Sequence, residues 1–151
     1  MSAPPILTEL ELSADMQKAV DTAFESLKPI VVSYVDESGA PQLSFRGSTQ
    51  AFSDSQLAIW VRNPEGRILE SIAKNPAMAL IYGSFEPTAR AFMIFRGRGR
   101  VDSSDAVRRR VYERAHAFER GQDPERKGIA LIIDLDSVDG FFGGAQLKMR
   151  R

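Results

Sequence analysis

Hydrophobic and polar positions follow one another along this chain in patterns that change from helical to strand-like spacing and back. After Ser13, apolar side chains recur every three to four positions up to Pro29, which predicts a first amphipathic helix. The same spacing predicts a second helix at 64–74 and a third at 104–120. Short apolar or alternating runs predict strands at 30–35, 41–52, 56–61, 77–82, 90–101 and 128–135.

The order of these segments predicts an α+β fold. Consecutive strands joined by short turns favour a meander, so we expect a six-stranded antiparallel split β-barrel with flanking helices. A length of 151 residues is typical of one domain, and no linker or internal repeat divides the chain. Residues 1–151 are therefore predicted to form a single domain.

Composition excludes several classes of function. The chain has no cysteine and one histidine, His116, so it cannot supply thiolate chemistry, a disulfide or an ordinary zinc site by itself. No apolar stretch approaches the roughly 20 residues that cross a bilayer, and the N-terminus does not resemble a secretory signal. We therefore expect a cytoplasmic protein without a membrane partner.

Charge gives a weaker indication about partners. The formal net charge is zero, which provides no general attraction to nucleic acid. The segment 90–120 nevertheless holds nine arginines against four acidic residues, which leaves a polyanionic partner open. Within it, Arg96, Arg98 and Arg100 share one strand face, either as a solvated surface or as a groove for an anion.

The segment 62–67 has the residue types of a phosphate site. Asn63 is a favoured N-cap residue and Pro64 suits the first helical position, so we expect the second helix to begin there. Its free N–H groups and dipole would favour an anion. Arg62 and Arg67 flank this end, and Gly66 would allow a ligand to approach the backbone. The alternative is that both arginines are solvated surface charges.

The preceding strand adds a third arginine. Residues two apart share a face of a strand, so Ser44, Arg46 and Ser48 should point one way and Phe45, Gly47 and Thr49 the other. A charged side chain in the middle of a strand needs a partner. A ligand phosphate would serve Arg46, and so would Glu65 or Glu86.

Taken together, these segments resemble the pyridoxamine 5′-phosphate oxidase-like flavoproteins, the FMN-binding split-barrel family. The resemblance covers about residues 29–101. It rests on the hairpin turn at 35–41, on Gly66-Arg67 followed by Asn75-Pro76, and on the glycine-containing strand at 95–101.

The resemblance implies a homodimer with FMN bound at the interface between the two chains. It implies that 44–49 line the flavin and phosphate and that 62–67 bind the phosphate. We expect Arg46 and the backbone around Gly47-Ser48 to cradle the ring, and Arg62 and Arg67 to hold the phosphate. The implied cofactor-binding residues are Ser44, Phe45, Arg46, Gly47, Ser48, Thr49, Arg62, Asn63, Gly66 and Arg67.

The chain also departs from the family oxidase. That enzyme has arginine at the position of Ser44 and lysine at that of Thr49, and its helix begins with Ser-Arg-Lys where this chain has Gly66-Arg67-Ile68. The C-terminal tryptophan and Arg-x-His pattern of the oxidase are missing. The chain is thus more similar to a short subgroup with an Arg-Gly-Ser/Thr strand than to the true oxidase.

Three functions remain open at this point. One is an FMN-dependent oxidoreductase that passes electrons between a reduced nicotinamide donor and a small-molecule substrate. Another is a non-catalytic flavin-binding stress or sensor protein. The third is the same barrel holding a deazaflavin or haem.

Overall fold

The computed structural model describes residues 3–151, in which nine strands and four helices are found. The strands are β1 (Ile6–Glu9), β2 (Val31–Val35), β3 (Pro41–Phe45), β4 (Gln50–Ser53), β5 (Gln56–Val61), β6 (Ala77–Ser84), β7 (Ala91–Asp102), β8 (Ile129–Phe142) and β9 (Ala145–Arg150). The helices are α1 (Ala14–Asp21), α2 (Arg67–Lys74), α3 (Asp105–Arg114) and α4 (Ala117–Gly121). None of these helices is both long and apolar enough to cross a lipid bilayer.

The strands form one mixed sheet. Its main order is β1-β9-β8-β7-β6-β2-β3, and β8 also pairs with β5, which in turn pairs with β4. All pairs are antiparallel except the β1–β9 pair. The predicted α+β class is therefore confirmed. The six-stranded antiparallel barrel is not, because the sheet has nine strands and is not closed.

The additional strands have identifiable causes. The predicted strand 41–52 divides into β3 and β4, because residues 46–49 form a turn in which the Thr49 N–H donates to the Arg46 carbonyl at 3.1 Å. The tail continues β8 and then reverses at Gly143 and Gly144, both at positive φ, into β9. All four residues of β1 are exposed, so that strand has no alternating pattern to detect.

Two predicted helices have different bounds from those expected. The first begins as predicted, with the Ser13 hydroxyl accepting from the Met16 N–H, but it ends at Asp21, well before Pro29. The third is interrupted at Ala115, whose backbone is extended. His116 then caps α4, because its Nδ1 accepts a hydrogen bond from the Phe118 N–H at 3.1 Å.

Two apolar clusters hold the sheet and helices together. The larger contains α1, α2 and the inner side chains of most strands, among them the fully buried Phe95 and Leu131. The smaller lies under α3 and is centred on Trp60. The Trp60 indole packs edge-on against Tyr112 at 5.2 Å between ring centroids and donates to Asp123 at 3.0 Å. Trp60 is therefore a core residue.

Candidate functional site

The turn at 46–49 is fixed by two hydroxyl groups that the sequence suggested as ligands. The Ser48 hydroxyl donates to the Trp60 carbonyl at 2.9 Å and accepts from the Trp60 N–H at 3.0 Å. The Thr49 hydroxyl donates to the Arg46 carbonyl at 2.7 Å. Both side chains are buried. They hold the turn against β5 instead of facing a solvent-accessible ligand.

Arg46 lies at the end of a polar row on the inner face of β3. Its Nε donates to the Ser44 hydroxyl at 3.1 Å, so the prediction that these two side chains share a face is confirmed. The next residue in the row is Gln42, about 7 Å from Ser44 along the strand at ~3.3 Å per residue. β3 is an edge strand, which leaves this row open on one side.

The guanidinium of Arg46 is in an unfavourable place for a positive charge. Burial is the largest influence on its pKa and lowers it, and the nearby charge of Arg62 lowers it further. Tyr34 and Glu119 act in the opposite direction. An arginine does not lose its proton in a protein, so the environment raises the free energy of the cation instead. A bound anion would relieve this cost.

Arg62 extends from the end of β5 toward the same place. Its Nη1 reaches the Gln122 side-chain oxygen only at 3.5 Å. Within residues 3–151 neither Arg62 nor Arg46 forms an ion pair with a carboxylate. Gly47 and Ser48 directly follow Arg46 in the chain, and their N–H groups donate to no acceptor within residues 3–151. The charges of Arg46 and Arg62 therefore act on each other, and neither is paired with a carboxylate among the described residues.

The start of α2 differs from the prediction. Its N-cap is Gly66 and its first residue is Arg67, so the expectation that Asn63 caps this helix was wrong. The Asn63 side chain instead accepts from the Glu65 N–H at 3.0 Å, which closes a separate turn before the helix. That local bond competes with the capping role that residue type suggested.

Arg67 is already paired. Its Nη2 lies 3.3 Å from Asp36 in the β2–β3 turn, and Gln42 donates to the same carboxylate oxygen at 2.8 Å. Hydrogen bonds lower the pKa of Asp36 to about 2, the largest contribution being that of the Ser38 hydroxyl. Arg67 therefore bounds the far end of the polar row, where its charge is largely matched by Asp36.

Two further predicted ligands, Phe45 and Gly47, have no side chain directed at Arg46. Phe45 lies on the outer face of β3 and is 69% exposed, so it points away from Ser44 and Arg46. Gly47 faces α4 and the end of the first helical region: a β-carbon there would lie 2.5 Å from Glu119 Oε1 and 2.7 Å from the Phe24 ring. Gly47 is thus required for close packing of the turn.

The arginines of β7 form a different arrangement. Arg96 pairs with Asp139 at 3.1 Å, Arg98 with Asp136 at 3.1 Å and Arg100 with Asp134 at 2.7 Å. They share a strand face as predicted, but each faces a carboxylate across the β7–β8 pair. This face therefore offers little free positive charge to a polyanion.

Sequence reasoning missed three residues around the site. Asp36 carried a signal, since the Asp-x-Ser spacing is typical of a side chain that closes its own turn. Gln42 could have been found from its place two residues before Ser44. Glu119 carried none, because the approach of α4 to Gly47 depends on packing between distant segments. Among the described residues there is no cluster of histidine and acidic side chains suited to a metal.

Comparison with known proteins identifies the fold. No family model and no curated protein matches the chain. Solved structures do match. HupZ from Group A Streptococcus has a TM-score of 0.66 at 16% identity, over 89% of this chain and 98% of that one.

Two further matches carry names from the family suggested by the sequence. A Clostridium acetobutylicum protein related to general stress protein 26, of the pyridoxinephosphate oxidase family, has a TM-score of 0.61 at 13% identity, covering 89% and 95% of the two chains. An FMN-binding protein from Syntrophomonas wolfei has a TM-score of 0.64 at 6% identity, covering 83% and 86%. The chain therefore has the fold of pyridoxamine 5′-phosphate oxidase-like proteins, and the resemblance is confirmed at that level.

Proposed function

We propose that this protein binds FMN through its phosphate group and acts as an FMN-dependent oxidoreductase. The observation that carries the proposal is the pair of guanidiniums, Arg46 and Arg62, which approach each other without a carboxylate partner in the described chain. Proteins of the same fold include one named as FMN-binding, which supports a flavin over an unrelated phosphate ligand.

The residues present fit a phosphate monoester. Such a group carries about 1.5 to 2 negative charges at neutral pH and offers several acceptor oxygens. Arg46 and Arg62 supply planar pairs of donors, the Ser44 hydroxyl orients Arg46, and the N–H groups of Gly47 and Ser48 supply two more. Arg67 should contribute less to phosphate binding than the sequence suggested, because it is paired with Asp36.

The chain's own part in the reaction is to bind and orient the cofactor. The chemistry that FMN supplies when bound is acceptance of a hydride from a reduced nicotinamide and transfer of electrons to a small acceptor. The polar row from Gln42 to Arg46 follows the open side of an edge strand, so a ligand anchored at Arg46 would extend over a surface that solvent and a second substrate can reach.

We further propose that two copies of the chain associate through the outer face of the sheet. Leu43 and Phe45 on β3 are 72% and 69% exposed, and Ile81, Phe92 and Phe141 continue the apolar face over β6, β7 and β8. Large apolar patches on a soluble protein mark interaction surfaces. Because Phe45 directly precedes Arg46 in the chain, a second copy would sit close to the phosphate site.

The test of cofactor binding compares FMN with riboflavin, which lacks the phosphate. We expect Arg46→Ala and Arg62→Ala each to weaken FMN binding at least about tenfold, since a charged hydrogen bond contributes about 1.5–3 kcal/mol. Riboflavin affinity should change much less. Arg109→Ala, a matched loss of an exposed arginine on α3, should leave both unchanged. Equal FMN affinity of the wild-type chain and all three variants would contradict the assigned site.

The test of catalysis is turnover. Addition of reduced nicotinamide to the FMN-loaded protein should bleach the flavin absorbance, and oxygen or a small quinone should restore it. Flavin that binds but never cycles would instead support the non-catalytic stress or sensor function.

A further inference from the structure

An acidic side chain lies over the turn that the proposed phosphate site uses. α4 places Glu119 so that its Oε1 would be 2.5 Å from a β-carbon on Gly47. Gly47 directly follows Arg46, and its lack of a side chain is what permits this approach. The carboxylate is thus beside the backbone N–H groups that are free in the described structure.

Glu119 has no structural partner that explains its position. Within the described residues its carboxylate makes neither a hydrogen bond nor an ion pair, although it is only partly exposed. Its aromatic neighbours are Phe24 and Phe118, which stack at 5.8 Å between centroids and hold α4 against the turn.

The same helix end also meets the second arginine. Gln122 follows α4 and is the residue that Arg62 reaches at 3.5 Å. Glu119 and Gln122 therefore flank the pair of unpaired guanidiniums from one side. With Glu119 ionised, two positive charges and one negative charge face the place where the phosphate would bind.

We propose that Glu119 is a specificity-determining residue, which weakens the binding of a doubly charged phosphate at the Arg46–Arg62 site and so limits affinity for FMN. This inference rests on the proposed function. Without the charge of Glu119, the two guanidiniums would match the charge of a dianionic monoester more fully. Glu119 acts on the phosphate alone, so it leaves the affinity for the uncharged ring system unchanged.

The experiment measures dissociation constants of FMN and riboflavin for the wild-type chain, Glu119→Gln and Glu9→Gln. Glu119→Gln keeps the shape of the side chain and removes its charge. Two like charges several ångströms apart at a partly exposed site repel enough to change affinity about tenfold. We expect FMN to bind Glu119→Gln about tenfold more tightly, with riboflavin unchanged.

Glu9→Gln is the charge-matched control, because β1 lies at the opposite end of the sheet order from β3. It should bind both ligands like the wild-type chain. Thermal unfolding of each variant verifies that the fold is retained.

The outcomes separate this inference from the proposed function. If the wild-type chain binds FMN and Glu119→Gln does not bind it more tightly, the role of Glu119 is overturned and the FMN proposal stands. Equal tightening for FMN and riboflavin also overturns it, since the effect would not act on the phosphate. Absence of FMN binding to the wild-type chain and to Glu119→Gln overturns both.

Discussion

Replacement of Ser48 by alanine would show whether this hydroxyl supports the fold or the ligand. In the structure the Ser48 hydroxyl is buried, donates to the Trp60 carbonyl and accepts from the Trp60 N–H. Ser48→Ala removes both bonds and leaves two buried backbone groups of Trp60 without partners. The methyl group of alanine cannot replace either bond.

The expected cost follows from those two groups. A buried polar group that loses its partner costs about 1–3 kcal/mol. Partial relaxation of the turn would recover some of this, so we expect the free energy of unfolding to fall by about 2–4 kcal/mol. That is a large fraction of the roughly 5–15 kcal/mol that stabilises an ordinary domain.

Equilibrium unfolding in urea, followed by Trp60 fluorescence, measures this change. The midpoint should fall while the denaturant slope stays constant, since the surface exposed on unfolding is the same. Ser44→Ala is the matched control: its hydroxyl only accepts from Arg46 on a part-buried edge, so its stability should change by less than about 1 kcal/mol. Ser44→Ala should instead weaken FMN binding. A Ser48→Ala protein that keeps wild-type stability but no longer binds FMN would refute the structural role of the Ser48 hydroxyl.

Three further predictions concern other parts of the fold. Gly97→Ala should destabilise the protein by about 1–3 kcal/mol or more in urea unfolding, because its β-carbon would clash with the Asp134 carbonyl oxygen; a loss below about 1 kcal/mol would contradict the tight β7–β8 contact. The lowered pKa of Asp36 stabilises the fold above about pH 4, and this contribution is lost as pH falls toward 2; Asp36→Asn should flatten that part of the acid-unfolding curve. Leu43→Ser with Phe45→Ser should shift sedimentation from dimer to monomer, and an unchanged dimer would exclude this face as the interface.

The parts of the fold that could be predicted from the sequence are those specified by local chemistry. Ser13 caps α1 through its own side chain, and the hairpin of β2 and β3 follows from alternating residues around an Asp-initiated turn. The long apolar pattern of β7 likewise specified its strand, with bounds within one residue of those predicted. In each case the deciding contacts lie within a few positions.

The parts that could not be predicted depend on distant partners. β1 has four exposed residues and is a strand because β9 pairs with it, and β9 itself depends on the reversal at Gly143 and Gly144. The N-cap preference of asparagine led to a wrong prediction at Asn63, because its side chain accepts a hydrogen bond in a local turn instead. Residue type alone does not decide between these two uses.

The candidate site shows the same division. The sequence suggested Arg46 and Arg62 as ligands by residue type and segment order, and in the structure the charge of Arg62 lowers the pKa of Arg46; their role as ligands stays a prediction. The sequence could not show that the Ser48 and Thr49 hydroxyls already bond to the backbone, or that Arg67 pairs with Asp36. Those contacts arise from tertiary packing between distant segments, which residue type and segment order do not specify.

The visible absorption spectrum of the purified protein, recorded before and after addition of FMN and removal of free ligand, tests the central proposal most directly. We expect a retained flavin band near one cofactor per chain, which is lost when Arg46 and Arg62 are both replaced by alanine. A spectrum without flavin, or one that shows a retained deazaflavin or haem in parallel samples but no FMN, would contradict it.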